Sequence, residues 1–375
     1  MASPIRAWIA GSEVGTVLRF DQTKAFSQHT VATLDVAYPS TSKPWLAPEW
    51  SAVKVALRGV PWWGYVHHSG VSSDVRDISG SVVRYTLIGT SLPMNSQRTR
   101  SWRGITASGI VRQIGREHRL RTVISRTKAI MPYYAQAGSS DWKVLQDMAQ
   151  RSGQRLWVDG GTVSFVEPRL LLEGVRALSI PVFTQNQMPG LRDNLYAFSS
   201  KAGAMVPRAS GPTTRQVVYG LDVRTGRPIT AAANPDGPPT VLSTVVTGTR
   251  VATAGHAADT VNALVTTSAG WITASAVVTG SPDITPGSLI SLGGSKVPGD
   301  QSGRWLVTAV NHRVLLDASN PLDVFTTTLS LERDTYYGPT LRGATRVSNT
   351  RDSVPTIMRD GYLWEAEYME NVNVG

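Results

Sequence analysis

The side chains of this sequence with chemistry to offer are a His67-His68 pair, three carboxylates at Asp141, Asp147 and Glu167, eleven tryptophans and a run of arginines. The histidines occupy a predicted strand, where neighbouring side chains leave on opposite faces and cannot close on one ion. No acid or further histidine stands at metal-ligand spacing from them. His312, at the end of another predicted strand, reads as a structural hydrogen-bonder. Nothing in the spacing of the three carboxylates pairs them for acid–base work. The chain has no cysteine, which removes thiolate nucleophiles, disulfides and Cys-based zinc together. The patterns G-x-S-x-G, H-E-x-x-H and G-x-x-x-x-G-K-[ST] do not occur. The expectation is a protein without an active site, metal or cofactor, and so not an enzyme.

The arginines and tryptophans point to surfaces instead. Ten basic residues lie between Arg84 and Lys128, opposed within that stretch only by Glu117, and this segment carries most of the formal net charge of +10. Such a cluster neutralises phosphates, but nucleic-acid readers interleave aromatics for stacking. Only Trp102 stands among these residues, which favours a solvated or subunit-facing surface acting electrostatically. Trp142, Trp157, Trp271 and Trp305 sit at core-facing phases of predicted elements. Trp62-Trp63 differs, because adjacent strand residues diverge and one must face out. An exposed indole can stack on a sugar; an interface anchor is the favoured role here. Arg112, Arg116 and Arg119 follow one another at i, i+4 and i+7 of a predicted helix. Like charges at that spacing repel by about a few tenths of a kcal/mol per pair, so something outside the helix should favour them. The candidate assembly-interface residues are therefore Trp62, Trp63, Arg112, Arg116 and Arg119.

The elements that must position these residues are mostly strands. Of 375 residues, 34 are Gly and 22 are Pro, spread along the chain as turns between short strands require. Charged residues make up 17%, a low share that suits a surface partly covered by other subunits. No stretch is apolar enough for a signal peptide or a membrane span, and the expectation is a soluble chain made in the cytoplasm. Period-two alternation marks strands over residues 29–36, 52–57, 59–66 and 82–88, and later over 271–279, 288–292, 304–312 and 325–331. Helical periodicity is confined to a helix capped by Thr106, a second capped near Ser139 or Ser140 and ending at Gly153, and a short one over 257–265. Asp159-Gly160-Gly161 predicts a hairpin turn between 154–158 and 162–166. A polar loop is expected before the second helix. Residues 170–240 read as loop-like, and periodicity fades after Arg333.

Three stretches carry a resemblance. Gly59 to Val66 reads GVPWWGYV. The helical block holds WRGITASGIVRQI and SDWKVLQDMAQRSG. The closing run from Ile284 to Asp334 holds ITPGSLISLGG, SGRWLVTAVNHRV and TTTLSLERD. In this order they resemble the phage tail or baseplate hub family, late control protein D-like and related to the tube part of type VI secretion spike proteins. The resemblance implies a mainly β fold with a small α+β module: two β-barrel-like tail-tube domains flanking a two-helix α+β insertion. The implied domains are 1–90, 91–169 and 170–335, followed by a C-terminal tail or arm over 336–375. The implied function is a structural hub at the distal end of a phage tail or tail-like injection machine. There it would connect a sixfold tube to a threefold tip and line the channel for DNA or effector. The implied partners are two further copies in a homotrimer, tail tube or distal tail proteins, a tip, spike or fibre protein, and DNA in transient non-specific contact. The implied location is the distal tail of the virion. The alternative from the exposed indole is a tail-tip sugar-binding or cell-wall-degrading protein.

Overall fold

In the computed structural model the described residues are 4–39, 45–72, 80–172, 180–186, 193–201, 215–221, 228–233, 243–246, 272–299, 301–316 and 324–333. The expected helix over 257–265, Trp271 and the tail over 336–375 lie outside them. Alternation in the sequence becomes alternation of burial. Ile5–Ile9 buries Ile5, Ala7 and Ile9, and Ala52–Leu57 buries Val53, Val55 and Leu57. Each strand thus hides one face and wets the other. The protein is mainly β with a small helical insertion.

The two β-rich stretches do not form separate sheets. One thirteen-stranded sheet contains both and curls into a half-barrel. Along its path Ile5–Ile9, Ala52–Leu57, Val60–Ser72, Gly80–Gly89, Val31–Pro39 and Thr16–Ala25 are neighbours. Thr16–Ala25 then pairs antiparallel with Gly303–Leu315, from Ala25 opposite Ala309 to Arg19 opposite Leu315. Phe325–Arg333, Ile272–Thr279 and Leu195–Lys201 continue the sheet. Two apolar cores lie along it. One gathers Phe20, Leu34, Trp62, Tyr85 and Leu87 with Val314 and Phe325 from the far end of the chain. The other is built round Trp305 with Ile290, Val307, Leu329 and Leu331.

The insertion has its own core of Ile110, Val111, Ile114, Trp142, Leu145, Met148, Leu156 and Phe165. Helix α1 (Ala107–Glu117) starts at Thr106, whose hydroxyl accepts from the Gly109 amide at 3.2 Å. Helix α2 (Asp141–Ser152) starts at Ser140 and ends at Gly153, which takes the left-handed conformation at φ 65°. Gly115 lowers the intrinsic propensity of α1, but a Cβ there would lie 2.5 Å from Thr122 Cγ2. Close approach of helix to strand decides that residue. Arg121–Ile124 pairs parallel with Thr162–Val166, which turns back through Gly160 and Gly161 to Arg155–Asp159. The insertion docks through this hairpin. Lys24 Nζ meets Asp159 at 2.9 Å, Arg155 meets Glu332 at 2.6 Å, and Phe26 packs on Trp157 with ring centres 5.5 Å apart.

Three expectations need correction. The polar loop before α2 is an eleven-residue strand, Ile130–Ser140, paired antiparallel with Gln97–Thr106 as a two-stranded ribbon. Both its faces are largely wet, with Ile130 and Tyr133 more than half exposed. Its apolar alternation is therefore too weak to announce a strand. The loop-like 170–240 region holds the strands Val182–Thr184, Leu195–Lys201, Arg215–Leu221 and Pro228–Ala233. Helix α1 ends at Glu117, so Arg119 stands beyond it, in a left-handed turn at φ 56°.

Candidate assembly surfaces and the polar centre of the insertion

Of the two adjacent indoles, Trp62 is buried against Phe20, ring centres 6.3 Å apart, and belongs to the first core. Trp63 faces out at 45% exposure. An interface role at this position therefore falls to Trp63 alone. His67 and His68 are both exposed, because a bulge between Val66 and His68 shifts the strand register there. Among the described residues no group of three His, Cys, Asp or Glu could hold a metal ion. His312 is fully buried, its ring nitrogens 3.1 Å from Thr327 Oγ1 and 3.2 Å from the Ile284 carbonyl oxygen. Burial first, and then the Lys24 charge, push its pKa down to about 3 against the opposing backbone contact.

Two of the three carboxylates without visible pairing in the sequence, Asp141 and Asp147, are paired in space. Asp141 is fully buried at the start of α2. It accepts from Arg100 Nη2 at 2.6 Å and from Gln136 Nε2 at 3.0 Å, with His118 Nε2 at 2.8 Å and Arg98 Nε at 3.4 Å. Burial raises its pKa, but the contacts from His118 and Gln136 and the charges of Arg100 and Arg98 outweigh that and hold it below the ordinary value. Glu117 accepts from Arg100, Arg98 and Gln113, and the same balance holds its pKa down. These residues tie the end of α1, the start of α2 and both ribbon strands together. Asp147 accepts from Tyr134 at 2.8 Å and from Arg151 at 2.9 Å. A buried carboxylate with several donors and a lowered pKa is a fixed anion, and it is poorly suited to passing protons.

This pairing redraws the basic segment. Arg84 is neutralised by Asp35 at 2.8 Å, and Arg98 and Arg100 by Glu117 and Asp141. Two of those three acids come from outside the segment, so counting along the chain overstated the excess. What remains is a surface. Arg112 is half-buried, while Arg116 and Arg119 are exposed, as are Arg121, Arg126 and Lys128 nearby. Among the described residues no carboxylate forms an ion pair with Arg112, Arg116 or Arg119.

No family model matches this chain, and no curated protein matches it in sequence. Solved structures do match. The 43 kDa tail protein of prophage MuSo2 from Shewanella oneidensis superposes with a TM-score of 0.64 at 14% identity, over 89% of this chain and 99% of that one. A tail protein from Neisseria meningitidis MC58 gives 0.63 at 12% identity, over 88% of this chain and 96% of that one. A component of the E. coli type VI secretion system, structurally similar to the T4 bacteriophage tail proteins gp27 and gp5, gives 0.55 at 14%, over 88% of this chain and 78% of that one. The half-barrel sheet with its helical insertion is thus a fold this chain shares with phage tail proteins and a type VI secretion component.

Proposed function

We propose that this chain is a structural protein of a phage tail or tail-like injection machine. Its place is a hub at the distal end, joining a sixfold tube to a threefold tip and lining the channel. The observation that carries this reading is the fold likeness, which spans nearly the whole length of two tail proteins. Under this reading residues 1–90 and 170–335 are tube-type β domains, 91–169 is the inserted module, and 336–375 is an arm. Three copies assemble as a ring, bound to tail tube or distal tail proteins on one side and to a tip, spike or fibre protein on the other. Any contact with passing DNA is transient and electrostatic. The Arg112, Arg116 and Arg119 surface contacts neighbouring proteins, which is supported by the exposure of Arg116 and Arg119 and by the absence, among the described residues, of any carboxylate paired with the three arginines; exposed Trp63 is an interface anchor. The role is architectural and needs no catalysis.

The test is the mass of the purified chain in solution, with electron microscopy of particles that contain it. Three-copy rings at the distal tail are the expected result. A chain that stays monomeric at every concentration and never enters particles overturns the reading. Release of muropeptides from cell walls by the purified protein would favour the cell-wall-degrading alternative instead.

A further inference from the structure

The outward face of the first strands carries an aromatic cluster that no core absorbs. Trp8 lies opposite Lys54, and Lys54 opposite Trp63, across three neighbouring strands, so the three side chains form one row. The Lys54 ammonium lies 5.0 Å from the Trp8 ring centre and 5.1 Å from that of Trp63. One row further on, Ala52 faces Tyr65, and the Trp50 ring lies 6.3 Å from the Tyr65 ring. Trp50 is 56% exposed and holds φ 67°, a conformation bulky side chains avoid. A groove of about 380 Å³ lies between Trp8 and Trp63, floored by Gly11, Ala52, Val53 and Lys54.

The charge of this groove is specific. Arg6 at its rim is already paired with Glu13 at 2.8 Å. Lys54 is held by the two rings, and no carboxylate among the described residues pairs with it. A cation between indole faces is partly desolvated, which strengthens its attraction for a carboxylate. The groove therefore suits an acidic segment with aromatic residues that can pack on its rim.

The sequence contains such a segment outside the described residues. Asp360 to Gly375 reads DGYLWEAEYMENVNVG, with four acids, no lysine or arginine, and Tyr362, Trp364 and Tyr368 interleaved. It stands out in a chain of net charge +10. The connection is long enough. Phe325 lies against Arg58, whose guanidinium carbon is 5.1 Å from its ring centre. At roughly 3.3 Å per strand residue, Arg333 is about 27 Å beyond Phe325 and Lys54 about 13 Å from Arg58, a path of about 45 Å. The residues from 334 to 359 reach up to about 85 Å when extended. A tether of that length also gives a high effective concentration.

We propose that Asp360–Gly375 docks on the Trp8–Lys54–Trp63 row of its own chain, with Glu365 or Glu367 on the Lys54 ammonium. The full chain is treated with a zero-length carbodiimide cross-linker, and the linked peptides are identified by mass spectrometry. Bonds from Lys54 to Glu365 or Glu367 are expected. Mixing ¹⁴N and ¹⁵N chains separates the sources, since docking within a chain gives no mixed-isotope product. Hydrogen exchange provides the second readout. Amides of 360–375 should exchange about ten-fold faster in Lys54→Glu than in the wild type, and the Glu365→Lys/Glu367→Lys reversal on that background should restore protection. Unprotected amides in the wild type, an unchanged rate in Lys54→Glu, or mixed-isotope cross-links as the main product would each overturn the proposal.

Discussion

Replacing Asp141 by alanine should unlock the insertion. The carboxylate has no solvent exposure, and Arg100, Gln136 and His118 converge on it within 3.0 Å. The variant leaves those groups in place without their acceptor, with the Arg100 and His118 side chains only 20% and 10% exposed. Removing one partner of a buried, hydrogen-bonded ion pair costs about 3–5 kcal/mol. Loss of an acid from the first turn of α2 adds about 0.3–1 kcal/mol. Asp141→Asn keeps the shape and one acceptor but loses the charge, so its cost should be about 1.5–3 kcal/mol, that of a charged hydrogen bond. The assay is denaturant unfolding of wild type and both variants at constant ionic strength. A cost below about 1 kcal/mol for the alanine variant would refute the view that this anion organises the insertion.

The pH dependence follows from the direction of the shift. The Asp141 pKa is lowered in the folded chain, so the unfolded chain binds the proton first as the solution is acidified. Its contribution is complete above the unfolded value of about 4 and is lost as pH falls through the lower folded value. The difference between wild type and Asp141→Ala should stay constant from neutral pH to about 5 and close below about 4. A difference that closed between pH 7 and 5 would mean that another group carries the effect.

Trp305→Ala and Trp142→Ala should each lower stability by about 3–5 kcal/mol, as large-to-small changes in separate cores; an unchanged melting temperature in either would contradict the burial. His312 has its pKa lowered to about 3, so stability should fall as pH drops from about 6.5 towards that value, by several kcal/mol in total. His312→Asn should flatten that slope in unfolding measured at pH 7 and pH 4.5, even if it costs stability at both. Replacing Arg112, Arg116 and Arg119 together by Gln should leave the unfolding free energy within about 1 kcal/mol of wild type but weaken particle assembly, with the difference from wild type shrinking as salt screens the charges. Normal particle yields from that variant would leave these arginines as a solvated surface only.

The features that could be read from the sequence are those whose cause is local. Thr106 and Ser140 cap their helices, and Gly153 and the Gly160-Gly161 turn take positive φ, because a few adjacent residues decide each conformation. The strands at Ala52–Leu57 and Ile272–Thr279 alternate because one face is buried. The ribbon of Gln97–Thr106 and Ile130–Ser140 escaped that reading because water reaches most of both its faces. The seam between Thr16–Ala25 and Gly303–Leu315 joins residues nearly 300 positions apart, and no periodicity within either strand names its partner.

Charge shows the same division. Along the chain, one acid faces ten basic residues between Arg84 and Lys128. In space, Asp35 reaches Arg84 from a neighbouring strand, and Asp141 reaches Arg98 and Arg100 from the start of α2. Those pairs turn part of an apparent binding patch into the frame of the insertion. Among the described residues they leave Arg112 and Arg116 on α1 and Arg119 in the turn after it without a carboxylate partner. A field confined to one surface orients a neighbour, whereas one spread evenly along the chain would only attract it. Folding thus takes Arg84, Arg98 and Arg100 out of the free charge of this segment and leaves Arg112, Arg116 and Arg119, on α1 and in the turn after it, as residues to remove together.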